Sequence, residues 1–416
     1  MLVVATFLAA PLSATGADAD WVRQFGTSGL DEVKGVAVDP DGNAYVAGET
    51  SGTLPGQTSA GTLDAFVAKF DPAGNEVWTR QFGTAERAIA WGLAIDPGGF
   101  AYVVGQVEDS LPGQRSAGGW DAFVRKYDLS GREIWTRQFG GAGSDVASGV
   151  AVNRAGNVSV VGTTSSTLPG QHNAGSFDAF IRRYDADGNE VWTRQFGTPG
   201  GDNARRVAFD GAGQILVVGS TEGTLPGQVS AGGYDAFVAL FDQAGRQLWT
   251  RQFGSAGDDF GLAIAVDPSD NITVAGSADD ALPGQTSPGG TTAFLRHLDS
   301  AGATLWTDQF GTGLADDAWD VTLDHAGNTW MVGTTERALP GQRSAGRIDA
   351  FVRTYDPHGK ELWTHQYGTP QDDYALAVAN DRQGIVIAGS TRGTLAGRSA
   401  GDLDAYLQRI PGWQPH

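Results

Sequence analysis

The hexapeptide Trp21-Val-Arg-Gln-Phe-Gly26 decides the fold, because it returns with little change along the whole chain. Successive copies lie 57 residues apart, without an insertion. The tryptophans that open the copies are Trp21, Trp78, Trp135, Trp192, Trp249, Trp306 and Trp363. Self-similarity at a fixed period of this length is typical of architectures in which each copy is one supersecondary unit. The sequence therefore predicts seven structural repeats.

Each period contains four short runs rich in β-branched and aromatic residues, which predict strands at residues 35–39, 44–48, 64–70 and 76–82. Asp39-Pro-Asp-Gly-Asn43 joins the first pair and Asp71-Pro-Ala-Gly-Asn75 joins the last pair. Such segments favour tight type I turns that close with glycine at positive φ. A longer loop with Leu54-Pro-Gly-Gln57 joins the middle strands; it recurs in later copies and becomes Leu395-Ala-Gly-Arg398 in the last.

A four-stranded antiparallel unit at this period fits a propeller blade, and a superhelical β-solenoid is the alternative. The chain ends distinguish them: a lone fourth strand stands at residues 21–25 and a lone third strand at residues 404–410. These fragments complete one blade only if the ring closes, which also leaves no unpaired sheet edge between them. We therefore predict an all-β, closed seven-bladed β-propeller formed by one domain over residues 20–416, with the N-terminal strand completing the last blade.

The composition of the chain limits the classes of partner and site that it can have. With 28 Lys and Arg against 48 Asp and Glu, the formal net charge is −20, which argues against nucleic acid or an anionic membrane surface. The chain has no cysteine, so disulfides, thiolate catalysis and cysteine metal sites are excluded. No segment has the roughly 20 uninterrupted apolar residues that a membrane span needs. We expect a monomer.

The first 19 residues predict a signal peptide. An apolar run over residues 2–12 is followed by small residues and possible cleavage points after Ala17 or Ala19. No basic residue precedes the run, and a true start upstream of Met1 is the alternative. The expected location is extracellular, at the cell surface or in the periplasm.

The repeat resembles the bacterial seven-bladed beta-propeller repeat family called SBBP over residues 21–410. The resemblance is carried by Asp64-Ala-Phe-Val67, by Asp71-Pro-Ala-Gly-Asn-Glu-Val-Trp78, and by a glycine-rich turn that ends in Asp, as at residues 254–259. It implies a secreted or surface-exposed bacterial protein and leaves the biochemical role open. The Asp-x-x-Gly-x-x-x-Trp spacing is also similar to the tryptophan-docking motif of quinoprotein dehydrogenases, which implies indole packing between blades and nothing about catalysis.

Strand parity places the two tight hairpins at one end of every blade, here called the hairpin face. The Leu-Pro-Gly-Gln loops and the connections to the next blade lie at the other end, the loop face, where we expect functional residues. A ring of acids occupies one repeat position there: Asp31, Asp145, Asp202, Asp259, Asp316 and Asp373, with Ala88 as the exception. A second series, Asp64, Asp121, Asp178, Asp235, Asp349 and Asp404, precedes the third strand, and Thr292 replaces it once.

Both series are interpreted first as acceptors that fix turns. Oxygen ligands also suit Ca²⁺, and the acids are doubled in blades five to seven. A calcium site is therefore the alternative for Asp259, Asp316, Asp317 and Asp373; no other cofactor is expected.

One repeat position varies widely in chemistry among the seven blades. It holds Lys34, Trp91, Ser148, Arg205, Leu262, Trp319 and Leu376, and the position beside the ring acid is equally mixed and includes Asp317 and Tyr374. Both are predicted at the mouth of the central channel. An exposed rim of Trp, Tyr and Arg favours protein or carbohydrate binding, whereas ordinary blade packing is the competing interpretation. The predicted ligand-binding residues are Lys34, Trp91, Arg205, Trp319 and Tyr374.

No catalytic residues are assigned, because the six histidines fall at unrelated repeat positions and form no triad or zinc set. The sequence favours an exported, non-catalytic scaffold that binds a protein or glycan through the loop face. A hydrolase or lyase acting on extracellular polysaccharide through carboxylates of that face is the alternative. A passive surface-layer component is a third interpretation.

Overall fold

A computed structural model describes residues 21–381, 384–397 and 399–411; the predicted signal peptide lies outside them. They form 28 strands in seven four-stranded antiparallel sheets. Blades 1 and 2 comprise β2 (Asp31–Val38), β3 (Ala44–Thr50), β4 (Asp64–Phe70), β5 (Glu76–Phe82), β6 (Ala88–Ile95), β7 (Ala101–Glu108), β8 (Trp120–Tyr127) and β9 (Glu133–Phe139). Blades 3 and 4 comprise β10 (Asp145–Val152), β11 (Val158–Thr164), β12 (Asp178–Tyr184), β13 (Glu190–Phe196), β14 (Asp202–Phe209), β15 (Ile215–Thr221), β16 (Asp235–Phe241) and β17 (Gln247–Phe253).

The remaining blades keep the same order. Blades 5 and 6 comprise β18 (Asp259–Val266), β19 (Ile272–Ala278), β20 (Thr292–Leu298), β21 (Thr304–Phe310), β22 (Asp316–Leu323), β23 (Thr329–Thr335), β24 (Asp349–Tyr355) and β25 (Glu361–Tyr367). Blade 7 comprises β26 (Asp373–Asn380), β27 (Gly384–Thr391), β28 (Asp404–Pro411) and, from the other end of the chain, β1 (Trp21–Phe25). No helix long and apolar enough to cross a membrane occurs in the part of the chain that the structure describes.

The ring closes as predicted. Strand β1 pairs antiparallel with β28, with Trp21 opposite Arg409 and Phe25 opposite Ala405. The predicted third and fourth strands match the observed bounds in blade 1, but the predicted first strand is too short. The observed first strand, β2, begins at Asp31 rather than Gly35 and ends at Val38 rather than Asp39. It is longer because residues on both sides of a pairing irregularity pair with β3.

The tight hairpins have the predicted chemistry. The N–H of Gly42 donates to the Asp39 carbonyl oxygen at 2.9 Å, and Gly42 has a φ of 83°. The Asp39 carboxylate accepts the backbone N–H of Asn43 at 2.9 Å. Each tip is thus held by its own side chain, which is the turn-fixing role expected of Asp at such positions.

Fourth-strand tryptophans join neighbouring blades. Trp78 Nε1 donates to the carbonyl oxygen of Leu129 in blade 2 at 3.0 Å, and Arg80 Nε donates to that of Gly131 at 2.8 Å. A β-carbon on Gly131 would lie 2.6 Å from the Trp78 ring, so the close approach requires glycine. The equivalent indole bond is made by Trp21, Trp135, Trp192 and Trp306. The indole packing implied by the docking-motif spacing is therefore present.

The Leu-Pro-Gly-Gln loop is part of the scaffold. Leu54 is buried, and the N–H of Gln57 donates to its carbonyl oxygen at 3.0 Å. Gln81 of the fourth strand accepts the N–H of Leu54 at 2.9 Å and donates its amide to the Asp64 carboxylate at 2.7 Å. This Gln–Asp lock fixes the long loop against the blade, and it confirms the second acid series as acceptors.

Candidate ligand-binding channel

Each first strand carries a one-residue β-bulge. In blade 1, Val33 pairs with Gly48 and Gly35 pairs with Ala47, so Lys34 has no partner in β3. The other bulge residues are Trp91, Ser148, Arg205, Leu262, Trp319 and Leu376. A bulge redirects the side chain of the extra residue away from its sheet. The variable position found in the sequence is therefore the bulge position of all seven blades.

A glycine opposite each bulge makes this geometry possible. A β-carbon on Gly48 would lie 1.9 Å from the carbonyl oxygen of Glu32. The equivalent glycines, for which this distance is 1.8 or 1.9 Å, are Gly105, Gly162, Gly219, Gly276, Gly333 and Gly389. Sequence reasoning missed these residues. The signal was present, because a glycine inside a predicted strand in every copy indicates a bulge or a close backbone approach.

The bulge side chains meet in a central cavity of about 350 Å³ on the loop face, here called the channel cavity. All five predicted ligand-binding residues line it: Lys34, Trp91, Arg205, Trp319 and Tyr374. Glu32, Ser148, Arg206, Leu262 and Leu376 complete the wall. Trp91 and Trp319 are half-buried rather than exposed as expected, because their rings lie inside the channel.

The positive charge on the blade 1 side of the channel cavity, Lys34, is paired with two carboxylates. Lys34 Nζ lies 2.7 Å from the Glu32 carboxylate and 3.1 Å from that of Glu49. The same ammonium lies 4.8 Å from the centre of the Trp91 ring, within the range of a cation–π contact. Burial raises the pKa of Glu49 although Lys34 opposes the shift.

The blade 4 side carries the half-buried positive charge of Arg205. Burial and, after it, the neighbouring Arg206 lower the pKa of Arg205 to about 10. Arg206 itself donates to the carbonyl oxygen of Ser148 at 2.9 Å. Burial also raises the pKa of Asp320 against the field of Arg206, and Asp320 accepts the N–H of Val378 at 2.9 Å.

A second cavity of about 540 Å³, here called the rim cavity, adjoins the first and shares Arg205, Leu262 and Trp319 with it. Its other walls include Asn203, Phe260, Asp279 and Asp317. Burial raises the pKa of Asp317, and the charges of Asp316 and Asp279 add to the shift. The two cavities together form a continuous recess from the loop-face rim into the channel.

The four predicted calcium ligands lie in three different blades. Asp316 is buried, and its carboxylate accepts the backbone N–H of Thr312 at 2.6 Å. Asp259 and Asp373 bind their own turns in the same way, whereas Asp317 lines the rim cavity. In residues 21–381, 384–397 and 399–411 no group of three or more His, Asp or Glu is placed to hold a metal ion. The structure shows the turn-fixing role of the ring acids, and the calcium site stays a prediction.

A third cavity, of about 590 Å³, lies at the hairpin-face mouth of the channel. Asp39, Asp96, Arg154 and His325 contribute to its wall, and none of the predicted site residues does. Asp39 is paired with Lys69 at 3.4 Å. No bulge residue lines this cavity.

Four segments of the chain match the family model described as a beta-propeller repeat, SBBP: residues 20–55, 134–169, 191–225 and 248–282. The chain carries the SBBP beta-propeller repeat. In this SBBP-repeat protein the structure shows the same repeat in all seven blades, which confirms the family resemblance seen in the sequence.

Two curated proteins are similar in sequence to the SBBP-repeat protein. The regulatory protein FlaEY of Caulobacter vibrioides is 27% identical over 402 residues, which cover 84% of this chain and 41% of that protein. An uncharacterized WD repeat-containing protein of Acanthamoeba polyphaga mimivirus is 22% identical over 347 residues, covering 63% of this chain and 25% of that protein. The chain thus spans less than half the length of these relatives.

Solved propellers share the fold at low sequence identity. The WD40 domain of Neurospora crassa Pan2 has a TM-score of 0.53 at 12% identity and covers 96% of this chain and 99% of that one. The WD40 domain of Doa1 has a TM-score of 0.54 at 12% identity, covering 94% and 97%. The polysaccharide lyase Uly1 has a TM-score of 0.53 at 10% identity, covering 93% and 91%. At these identities the likeness concerns the fold alone.

Proposed function

We propose that the SBBP-repeat protein is an exported, non-catalytic scaffold that binds a protein or glycan ligand through its loop face, at the mouth of the central channel. One observation carries the proposal: the bulge gives every blade one side chain in the channel cavity, and the chemistry of that side chain ranges from cationic to aromatic, polar and aliphatic. A repeated scaffold that varies where its side chains converge is organised for recognition, because specificity needs differences that packing does not.

The proposal is tested by ligand binding of the purified mature chain. A glycan and polysaccharide array and a pull-down from the cell surface should give saturable binding that the double substitution Trp91→Ala, Trp319→Ala abolishes. The matched control is Trp120→Ala, since Trp120 is a half-buried tryptophan on the loop face outside both cavities. Undiminished binding by the double variant would reject the channel as the binding site.

Export and monomeric state belong to the same proposal. The chain completes all seven blades by itself and needs no strand from a second copy, so a monomer is expected in light scattering. Cell fractionation with N-terminal sequencing should find the chain outside the cytoplasm, beginning near residue 18 or 20. Retention of the intact N-terminus in the cytoplasm would contradict export.

A second candidate function, hydrolysis or elimination on an extracellular polysaccharide, is favoured by one observation. Asp317 and Asp279 both line the rim cavity, and the raised pKa of Asp317 suits a general acid. Release of reducing ends or unsaturated products from a polysaccharide panel, lost in Asp317→Asn, would support this function. Binding without turnover would support the scaffold.

A further inference from the structure

Arg205 occupies a special place among the bulge residues, because its side chain forms part of the wall shared by the channel cavity and the rim cavity. The cation of blade 1, Lys34, lies in the channel cavity only.

The Arg205 guanidinium has no hydrogen bond or ion pair with any residue that the structure describes. Only burial and the positive charge of Arg206 shift its pKa, and no carboxylate offsets them. By contrast, Lys34 is paired with two glutamates, and Arg206 donates to backbone carbonyl oxygens. Arg205 is half-buried in the wall of both cavities and has no counter-charge among the described residues, so its guanidinium is available to pair with an anion that enters the recess.

A second group in the same cavity also lacks a partner. Trp91 Nε1 is buried and makes no hydrogen bond within the described part of the chain, whereas Trp319 Nε1 donates to Thr334 Oγ1 at 3.0 Å. A buried N–H donor is normally satisfied, so an unsatisfied one calls for an acceptor. Two side chains that line the channel cavity therefore carry a donor without a partner among the described residues, the Arg205 guanidinium and the Trp91 indole N–H.

The size and walls of the recess favour a ring-sized polar ligand. Cavities of about 350 and 540 Å³ fall within the range of small-molecule sites, whereas a stable protein interface buries roughly 800 Å² per partner. Trp319 and Tyr374 provide aromatic faces, and Ser148 and Glu32 provide polar groups. A sugar ring matches this mixture, because it has C–H faces as well as hydroxyls.

We propose that the channel binds an acidic sugar unit, whose carboxylate pairs with the Arg205 guanidinium and accepts the N–H of Trp91 while its ring packs on Trp319. This inference rests on the proposed binding function and names the ligand chemistry. The paired Lys34 holds Trp91 through the cation–π contact and leaves Arg205 as the cation for the ligand.

The test is a titration of the purified chain followed by tryptophan fluorescence and calorimetry, with D-glucuronate as the probe. D-glucose is the matched control ligand, since it has the same ring without the charge. Saturable binding of glucuronate, and at least tenfold weaker binding of glucose, are expected. Arg205→Gln should weaken glucuronate binding by about tenfold or more, the value of a charge-assisted hydrogen bond.

Two variants complete the design. Trp91→Phe keeps an aromatic ring and removes the N–H donor, and it should weaken binding by about three- to tenfold. Arg343→Gln is the matched control for Arg205→Gln, because Arg343 is an exposed arginine on the loop face outside both cavities, and its binding should be unchanged. Melting curves of each variant exclude unfolding as the cause.

Each other outcome contradicts the inference in a distinct way. Equal binding of glucose and glucuronate, or no effect of Arg205→Gln, would show that no carboxylate pairs with Arg205. Tighter binding of N-acetylglutamate amide than of glucuronate would show that the ligand is an acidic peptide and not an acidic sugar. An array ligand that Trp91→Ala, Trp319→Ala abolishes but Arg205→Gln does not would overturn this inference and leave the proposed function standing.

Discussion

The side-chain amide of Gln24 donates to the Asp404 carboxylate at 2.7 Å across 380 residues of sequence. Gln24 also donates to the Gly393 carbonyl oxygen at 2.9 Å and accepts the N–H of Leu395 at 2.9 Å. These are the bonds that Gln81 makes inside blade 1. The two ends of the chain are therefore joined by the same Gln–Asp lock that stabilises an ordinary blade.

Gln24→Ala should open the ring at its closure. The substitution leaves the buried N–H of Leu395 and part of the Asp404 carboxylate unsatisfied, which should cost about 1–3 kcal/mol of unfolding free energy. It should also expose β1 to proteolysis. Denaturant unfolding and limited digestion measure the two effects.

The matched control is Gln81→Ala, which removes the same lock from a blade whose four strands are continuous in sequence. A similar loss of stability without N-terminal cleavage is expected there. Equal resistance of β1 to proteolysis in both variants would show that backbone pairing alone closes the ring.

Gly276→Ala should be strongly destabilising, because the new β-carbon would lie 1.9 Å from the Phe260 carbonyl oxygen. The clash is with backbone and can be relieved only by losing the bulge, at about 2–4 kcal/mol. Thermal unfolding measures the loss. Gly98→Ala is the control, since its nearest neighbour would be a side-chain oxygen at 3.2 Å, and its melting temperature should change little. Tolerance of Gly276→Ala would refute the steric role of the seven glycines.

The ring acid Asp259 predicts that the stability of the fold depends on pH. Burial raises the pKa of Asp259 to about 7, against the hydrogen bonds from Ser255. The unfolded carboxyl titrates near pH 3.9, so the folded state retains a proton that the unfolded state has lost between these values. The stability contribution of Asp259 is therefore present below about pH 4 and is lost as the pH rises through about 7.

Asp259→Asn isolates this effect, because the amide oxygen can still accept from Ser255 and does not titrate. Between pH 4 and pH 7 the unfolding free energy of the natural chain should fall relative to that of the variant. A difference independent of pH would show that Asp259 ionises normally in the fold.

Calcium should leave the melting temperature unchanged, although the acid pattern permits a site at Asp259, Asp316, Asp317 and Asp373. Three of these carboxylates already bind their own turns, and a cation would have to displace those bonds. Melting curves recorded in excess Ca²⁺ and in EGTA compare the melting temperature with and without the cation. A rise in Ca²⁺ would establish the site, since a ligand bound only by the folded state raises its stability.

The sequence predicted the ring, its closure and five of the ten residues that line the channel cavity, because each rests on a period that is visible without coordinates. It missed the bulge, since pairing register depends on the partner strand: Lys34 falls just before the predicted first strand, and only the pairing of Val33 with Gly48 shows that the strand continues through it. It also missed that the Arg205 guanidinium has no ion pair among the residues that the structure describes. Lys34 and Arg205 are equivalent by position, and only three-dimensional placement shows that one is neutralised and the other is not.

The bulge also has a consequence for how such a chain can change over time. Because each bulge residue lies outside the pairing of its sheet, it can be exchanged without altering the turns, locks and indole contacts that the blades share. Duplication of a blade then copies the framework, and later substitution at one codon per copy diversifies the channel. A family built on this plan can keep one architecture while its members diverge in the molecules they recognise, and a library varied at the seven bulge codons would reproduce that divergence in the laboratory.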